Sequence, residues 1–212
     1  MRLYTVIPIA RGVGKETLSY FGPDNIEPGA LVSIPLRKKL VHAIVIDKKD
    51  VAEMKSDIKA SRYQLRKITK VVALGFLSKS FLEAAYNTSE WYATTTGAIL
   101  SSVIPKLVLD NALVLSQVEL STEASESKEK LVVQADDDER FSHYKSFIRG
   151  QFAKKKSVYF CLPTVEDIRQ AQLLLEKGIE PYTVILESNL SKKDFLANIK
   201  NCLLYTSDAA DE

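Results

Sequence analysis

Residues 31–46, "LVSIPLRKKLVHAIVI", decide how the first half of this chain folds. Two runs, "LVSIPL" at 31–36 and "LVHAIVI" at 40–46, are rich in Val and Ile, the β-branched residues that fit a pleated surface. Only Arg37-Lys38-Lys39 joins them. A connection that short makes a hairpin with a basic tip and pairs the runs antiparallel.

The same grammar continues outward. "LYTVIPI" (3–9) and "TLSYF" (17–21) read as strands, and "GPDN" and "EPGA" as turns built on Gly, Pro and Asn. A polar stretch at 47–62 reads as a loop, and "LRKITKVVAL" (65–74) as one further strand with basic residues at 66, 67 and 70. Five strands with short connections predict a small antiparallel β-barrel or curled sheet. Between the first two strands stands Gly12-Val13-Gly14-Lys15, which invites comparison with a phosphate-binding loop. Such a loop needs a Ser or Thr after the lysine and a long helix immediately behind it. Glu16 occupies the hydroxyl position, and Gly22-Pro23 ends the next segment too early for a helix.

Beyond residue 79 the period changes. Ser80 and Glu83 have capping-box spacing, and Phe81, Ala84, Ala85, Thr88, Trp91, Tyr92 and Thr95 recur at three and four residues. This predicts a helix over 81–95, with Trp91 and Tyr92 expected in core packing in preference to a ligand platform. "GAILSSVIP" gives a second short helix ending at Pro105. Residues 116–130 have the Ser/Glu/Lys composition of a linker. Past it the pattern predicts a helix at about 137–154, a buried strand at 157–163 containing Cys161, a helix capped by Thr164 with Asp167 and stopped at Gly178, a second strand at 182–188, and a helix from "SKKDFLANIK". Helix–strand alternation implies parallel strands, the beginning of an α/β sheet. "CLLYTSDAADE" (202–212) breaks the helical pattern, resembles translated sequencing-adapter read-through, and is expected to be a non-native tail.

The composition, 46% hydrophobic and 26% charged over 212 residues, is that of a soluble globular protein. No apolar run approaches the ~20 residues of a membrane span, and no signal peptide is evident, so a cytoplasmic location without membrane partners is expected. Two cysteines, Cys161 and Cys202, make neither a disulfide framework nor a four-cysteine zinc site. His42 and His143 have no neighbour in sequence that would make either catalytic. Charge divides unevenly: residues 1–110 carry 16 Lys+Arg against 10 Asp+Glu, and residues 111–212 carry 13 against 17. That split implies two modules, the first either suited to a polyanionic partner or simply well solvated.

The order of pieces in the first half resembles the N-terminal DNA-binding domain of the primosomal replication-restart helicase family (PriA, primosomal protein N′). "TVIPI", "TLSY", "PGALVSIPLR", "HAIVI" and "FLEAAYNTSEWYATTTGAILSSVIP" follow one another as the family's motifs do, over about half the chain. The resemblance implies a domain that holds the 3′ end of a nascent strand at a stalled fork. Its pocket uses a Phe-Asp pair, a glycine and a basic residue, which fall on Leu18, Ser19, Arg37 and Arg66, with Tyr20 as a stacking surface. Leu18 cannot stack on a base, Ser19 lacks the carboxylate, and Arg37 crowds a glycine's place while adding charge. Phosphate contacts are expected from Lys15, Lys38, Lys39, Lys67 and Lys70.

In the second half "KKKSVYFCLPTVEDIRQA" and "LESNLSKKDFLANIK" resemble segments of the family's helicase lobe. Where active members carry the ATP loop, this chain has "ADDDERFSHYK". Asp136, Asp137 and Asp138 favour a helix N-terminus and would repel a triphosphate there. A Mg²⁺ site at these aspartates is disfavoured because consecutive helical residues point apart. The family's ATP, Mg²⁺ and zinc ligands are missing, so no cofactor is expected. The organisation expected is an α+β N-terminal domain at 1–110, a linker at 111–135, and a partial, degenerate α/β helicase-like lobe at 136–201. The function expected is binding of branched or single-stranded DNA without ATPase activity, with restart proteins or single-stranded DNA-binding protein as further partners. The alternatives are the front of an ATP-driven helicase and a protein-interaction scaffold.

Overall fold

The computed structural model describes residues 2–50, 65–116 and 131–208, the side chains of 203–208 excepted. Most of the polar loop expected at 47–62, the linker segment 117–130 and the end of the expected tail lie outside the described residues. The chain divides into two compact units, Met1–Gln117 and Val118–Glu212.

The first unit is built on six strands: β1 (Arg2–Pro8), β2 (Leu18–Gly22), β3 (Leu31–Leu36), β4 (Lys39–Asp50), β5 (Arg66–Lys67) and β6 (Lys70–Ala73). Their order across the sheet is β5-β2-β1-β4-β3-β6. The hairpin of β3 and β4 forms as its sequence dictates, with Leu36 opposite Lys39. The run 65–74, expected as one strand, is two. β5 pairs parallel to β2, and β6 pairs antiparallel to β3 at the other edge. Between them the Ile68 N–H donates to the Phe21 carbonyl (2.7 Å) and the Thr69 N–H to the Ser33 carbonyl (2.9 Å). One short segment thus hydrogen-bonds to both sheet edges, so the sheet must curl until they nearly meet, and unpaired edges are covered. The sheet is mixed rather than purely antiparallel.

Period-2 alternation gives this sheet two cores. Tyr4, Val6, Tyr20, Ile26, Val32, Ile34, Ala43 and Val45 fill the concave interior. Ile7, Ile9, Leu31, Ile44 and Ala73 face outward and pack against helices through Ala85, Leu100, Ile104, Leu109 and Ala112. Each fully buried Ile or Leu in such a core contributes about 1.5–3 kcal/mol.

Four helices supply that outer layer: α1 (Lys79–Trp91), α2 (Thr96–Val103), α3 (Lys106–Asp110) and α4 (Ala112–Leu115). The cap of α1 is Ser78, not Ser80. Its backbone is extended and its hydroxyl accepts the Phe81 N–H at 3.2 Å. The helix stops at Trp91, and Thr95 caps α2 instead of ending α1. Ala112 is fully buried, so the compact unit runs past the boundary expected at 110. At the start of α2 a Cβ on Gly97 would stand 2.0 Å from the Pro8 carbonyl oxygen. Only glycine lets the helix end approach β1 so closely.

The second unit contains α5 (Asp137–Phe152), α6 (Val165–Leu175), a 3₁₀ turn at Glu180–Tyr182 and α7 (Lys192–Asp208). The Thr164 cap and the aspartates at the start of α5 are as the sequence predicts, and Ser191 supplies a third cap. Asp136 accepts the Glu139 N–H (2.9 Å), and Thr164 and Asp167 bond reciprocally, as do Ser191 and Asp194. The two expected strands are not strands. Residues 157–163 and 183–188 pair with nothing as β-structure, and Cys161 is exposed rather than buried. They rest instead on helices: the Phe160 ring lies 5.0 Å from that of Tyr144, and the Asn198 amide donates to the Ile185 carbonyl (2.8 Å). A strand requires a partner ladder for its backbone groups, and no strand is present among the described residues of this unit. The helical pattern does not break at 202. α7 continues to Asp208, there being no Gly or Pro between 201 and 208 to stop it.

Candidate nucleic-acid interface

The glycine-containing loop at 11–17 is settled by its neighbours. It is followed by strand β2, not a helix, and Glu16 is turned inward. Both Glu16 carboxylate oxygens accept the Thr96 N–H, at 3.1 and 3.2 Å, closing the N-terminus of α2. A carboxylate at that position compensates orphan N–H groups and the helix dipole. The loop is a clamp between sheet and helix, which is chemistry unlike a nucleotide cradle.

One end of the curled sheet collects most of the residues expected to bind DNA. β1 finishes at Pro8 and β2 begins at Leu18, opposite Val6. The β3–β4 hairpin projects at the same end, since Pro8 lies opposite Ala43 and the Ile9 N–H donates to the His42 carbonyl at 2.8 Å. Arg37, Lys38 and Lys39 form its exposed tip, and Lys15 sits exposed in the neighbouring β1–β2 loop. Arg66 comes in from β5, and its guanidinium donates to the Arg37 carbonyl at 3.2 Å.

Arg37 has φ 54°, a left-handed backbone that is uncommon for a side-chain-bearing residue. Lys38 does not share it. A two-residue loop with positive φ at its first position follows the pattern of a type II′ hairpin, whose first position ordinarily takes glycine. The resemblance drawn from the sequence places a glycine at this position. The backbone of a glycine is present with an arginine on it.

The other expected residues divide between the two faces of the sheet. Leu18 is half-buried over the interior core, next to Tyr20. Tyr20 is 5% exposed, and its hydroxyl donates to the Pro35 carbonyl at 2.9 Å. Burial pushes that hydroxyl's pKa up from its ordinary value, with the nearby Arg66 charge pulling the other way. The expectation that Tyr20 offers a stacking surface is therefore wrong. It is a core residue that fastens β2 to β3, with Arg66 opposite it in register. Ser19 points to the outer face in a row with Thr5 and Asp47. Lys67 lies opposite Phe21, and Lys70 opposite Ser33, also on that outer side. Leu18, Arg37 and Arg66 thus share the hairpin end with Lys15, Lys38 and Lys39. Ser19, Lys67 and Lys70 belong to a separate surface.

Two residues expected in the core are at the surface. Trp91 is 89% exposed and Tyr92 75%. The inward stripe of α1 is Leu82, Ala85 and Ser89, so Trp91, two residues past Ser89, is turned about 200° from it.

In the second unit Asp136 caps α5 and Asp137 pairs with Arg140, so these aspartates serve the helix start. Among the described residues no three His, Cys, Asp or Glu side chains converge as a metal site would require, and no helix is long and apolar enough to cross a membrane.

No curated protein matches the chain. Residues 6–105 match the family model described as the PriA 3′ DNA-binding domain (3′BD), a span that runs from the end of β1 through α2 and takes in the whole hairpin end. Over that span the first unit is similar to PriA-type 3′ DNA-binding domains.

Proposed function

We propose that the first unit grips branched or single-stranded DNA, including nascent 3′ ends at forks, at the hairpin end of its curled sheet. The observation that carries this reading is the Arg66 guanidinium held on the Arg37 carbonyl, at a hairpin residue with a glycine's backbone. It keeps a basic side chain beside a preformed turn, the arrangement that the resemblance assigns to an end-binding pocket. Arg37, Lys38, Lys39 and Lys15 surround it with donors suited to phosphate oxygens. Each phosphate neutralised releases counterions, so log K falls with log salt by ~0.9 per phosphate on duplex and ~0.7 on single strands.

End selection is weaker than phosphate affinity in this reading. Leu18 has no π-face to stack on a terminal base, and the Arg37 side chain stands where the resemblance implies close backbone approach. Ser19 faces the outer side of the sheet and so cannot replace an aspartate in the same pocket. The second unit, without an ATP loop in its sequence, acts as a scaffold that docks restart proteins or single-stranded DNA-binding protein in the cytoplasm and does not hydrolyse ATP.

Fluorescence anisotropy of the full chain on two forked DNAs, one with a free and one with a blocked 3′-OH at the junction, tests the proposal. Salt-sensitive binding to both is expected, with a modest preference for the free end. Equal affinities would reduce the site to general phosphate binding. No binding at low salt would sink the nucleic-acid reading, and ATP-dependent unwinding would overturn the scaffold role of the second unit.

A further inference from the structure

The corner between α1 and α2 offers a second contact for nucleic acid. Trp91 and Tyr92 are adjacent and exposed at the end of α1: Trp91 is turned away from the inward stripe, and Tyr92, in register with that stripe, stands past the last helical residue. Their position is fixed from both sides. The Thr94 N–H donates to the Ser89 carbonyl at 3.0 Å, and the buried Ser89 and Thr96 hydroxyls meet at 3.2 Å. Two residues further on, the Thr96 N–H is held by Glu16, and Gly97 abuts Pro8. The aromatic corner is therefore locked to the β1–β2 loop, which carries exposed Arg11 and Lys15 and opens on the same end of the sheet as Arg37, Lys38 and Arg66.

We infer that Trp91 and Tyr92 form a stacking platform for unpaired bases of a DNA strand whose phosphates run along that basic end. This rests on the function proposed above and extends it to a surface beyond the hairpin. The chemistry is that of single-strand binding: cations follow the backbone, while exposed aromatic rings take bases of any sequence. Glu16, the acidic residue in the loop, is engaged with the α2 N-terminus, leaving Glu90 as the exposed carboxylate next to the platform. The preceding loop contributes two cations against it, and the hairpin tip three more. Charge complementarity thus favours a polyanionic strand with accessible bases over an apolar protein partner. The site compensates for Leu18, which cannot stack, by supplying π-faces elsewhere.

Trp91 is the single tryptophan of the chain, so its emission reports on the platform directly. The full chain is titrated with an oligothymidylate and with a blunt duplex of equal charge, and labelled-DNA anisotropy is read alongside tryptophan emission. The oligothymidylate should quench or shift the emission in step with anisotropy, and the duplex should bind with little change. Replacing both residues (Trp91→Ala with Tyr92→Ala) should weaken single-strand binding by ~10-fold or more, as loss of a stacked base does. Because both side chains are exposed, the variant's melting temperature should stay at the parent value. Anisotropy that saturates while emission stays flat, or an unaffected double variant, would overturn the platform and leave the hairpin site standing. No anisotropy change with either DNA would remove both readings. An emission shift that depends on protein concentration without DNA would make the corner a self-association surface and likewise overturn the proposal.

Discussion

Twenty apolar side chains in the first unit are buried, against two in the second, Ala171 and Leu175, among the described residues. Both halves have good local grammar: caps in the right places, amphipathic helices, apolar runs of strand length. The first half also has partners for every strand, and there the same kinds of residue become a sheet with a core on each face. In the second, 157–163 and 183–188 have no ladder to join, and Tyr159 remains 71% exposed. Local propensity makes helices almost anywhere, whereas a β-run is only as ordered as its neighbour allows.

Two glycines expose this difference most sharply. Gly97→Ala should cost the first unit about 3 kcal/mol or more, because the new methyl meets a backbone carbonyl at 2.0 Å that cannot step aside. Gly150→Ala, inside α5 with nothing within 4 Å of the new Cβ, should instead stabilise its helix by up to ~1 kcal/mol. Urea unfolding followed by far-ultraviolet circular dichroism checks both. A tolerated Gly97→Ala would mean that the α2–β1 approach is not a rigid joint, and the contrast between the units would lose its strongest support.

Glu16→Ala comes next. It leaves the Thr96 N–H at the buried start of α2 without its acceptor, and a lost cap of this kind costs about 1 kcal/mol. A lower melting temperature of the first unit, with hydrogen exchange at Thr96 accelerated, is the expected outcome. Unchanged exchange would show that the loop is not clamped.

Much of the first unit was legible because β-alternation and turn residues are local signals. Residues 31–36 form their strand as read, and β1 and β2 differ from their expected limits by a residue or so. Pairing partners were not legible. Nothing in "LRKITKVVAL" says that it will serve β2 with its first half and β3 with its second, since that depends on how far the sheet curls. The hairpin tip was found from its basic residues, while the positive φ of Arg37 left no trace because an arginine stands there. Trp91 and Tyr92 were sent inward by counting every aromatic as apolar in a three-four spacing. The stripe that packs is Leu82, Ala85 and Ser89, and small residues announce themselves poorly. Tyr20 departs the other way: the pocket implied by the resemblance makes it a stacking surface, whereas its alternation with Leu18 puts it on the interior face.

Arg37→Gly sharpens the comparison at the site itself. A side chain in the left-handed region costs roughly 1 kcal/mol that glycine does not pay. The variant should melt several degrees higher, lose one unit of phosphate charge, and discriminate more between free and blocked 3′-OH forks. Higher stability with unchanged discrimination would locate the weak end selection at Leu18 instead.

The smallest effect expected is a pH dependence peculiar to the first unit. His42, on the outer face, has its pKa pushed below the ordinary histidine value by burial, with Asp110 at 3.9 Å opposing and Lys106 reinforcing. The unfolded chain therefore takes up a proton more readily than the folded one. Stability from this group is full above the ordinary value near 6.5 and is lost as pH falls through that value toward the lower folded one. His42→Gln should flatten the melting-temperature slope of the first unit between neutral and mildly acidic pH, leaving the neutral value nearly unchanged. A slope that survives the substitution would assign the acid sensitivity to other groups, and one that steepens would mean that the Asp110 contact outweighs the cost of burial.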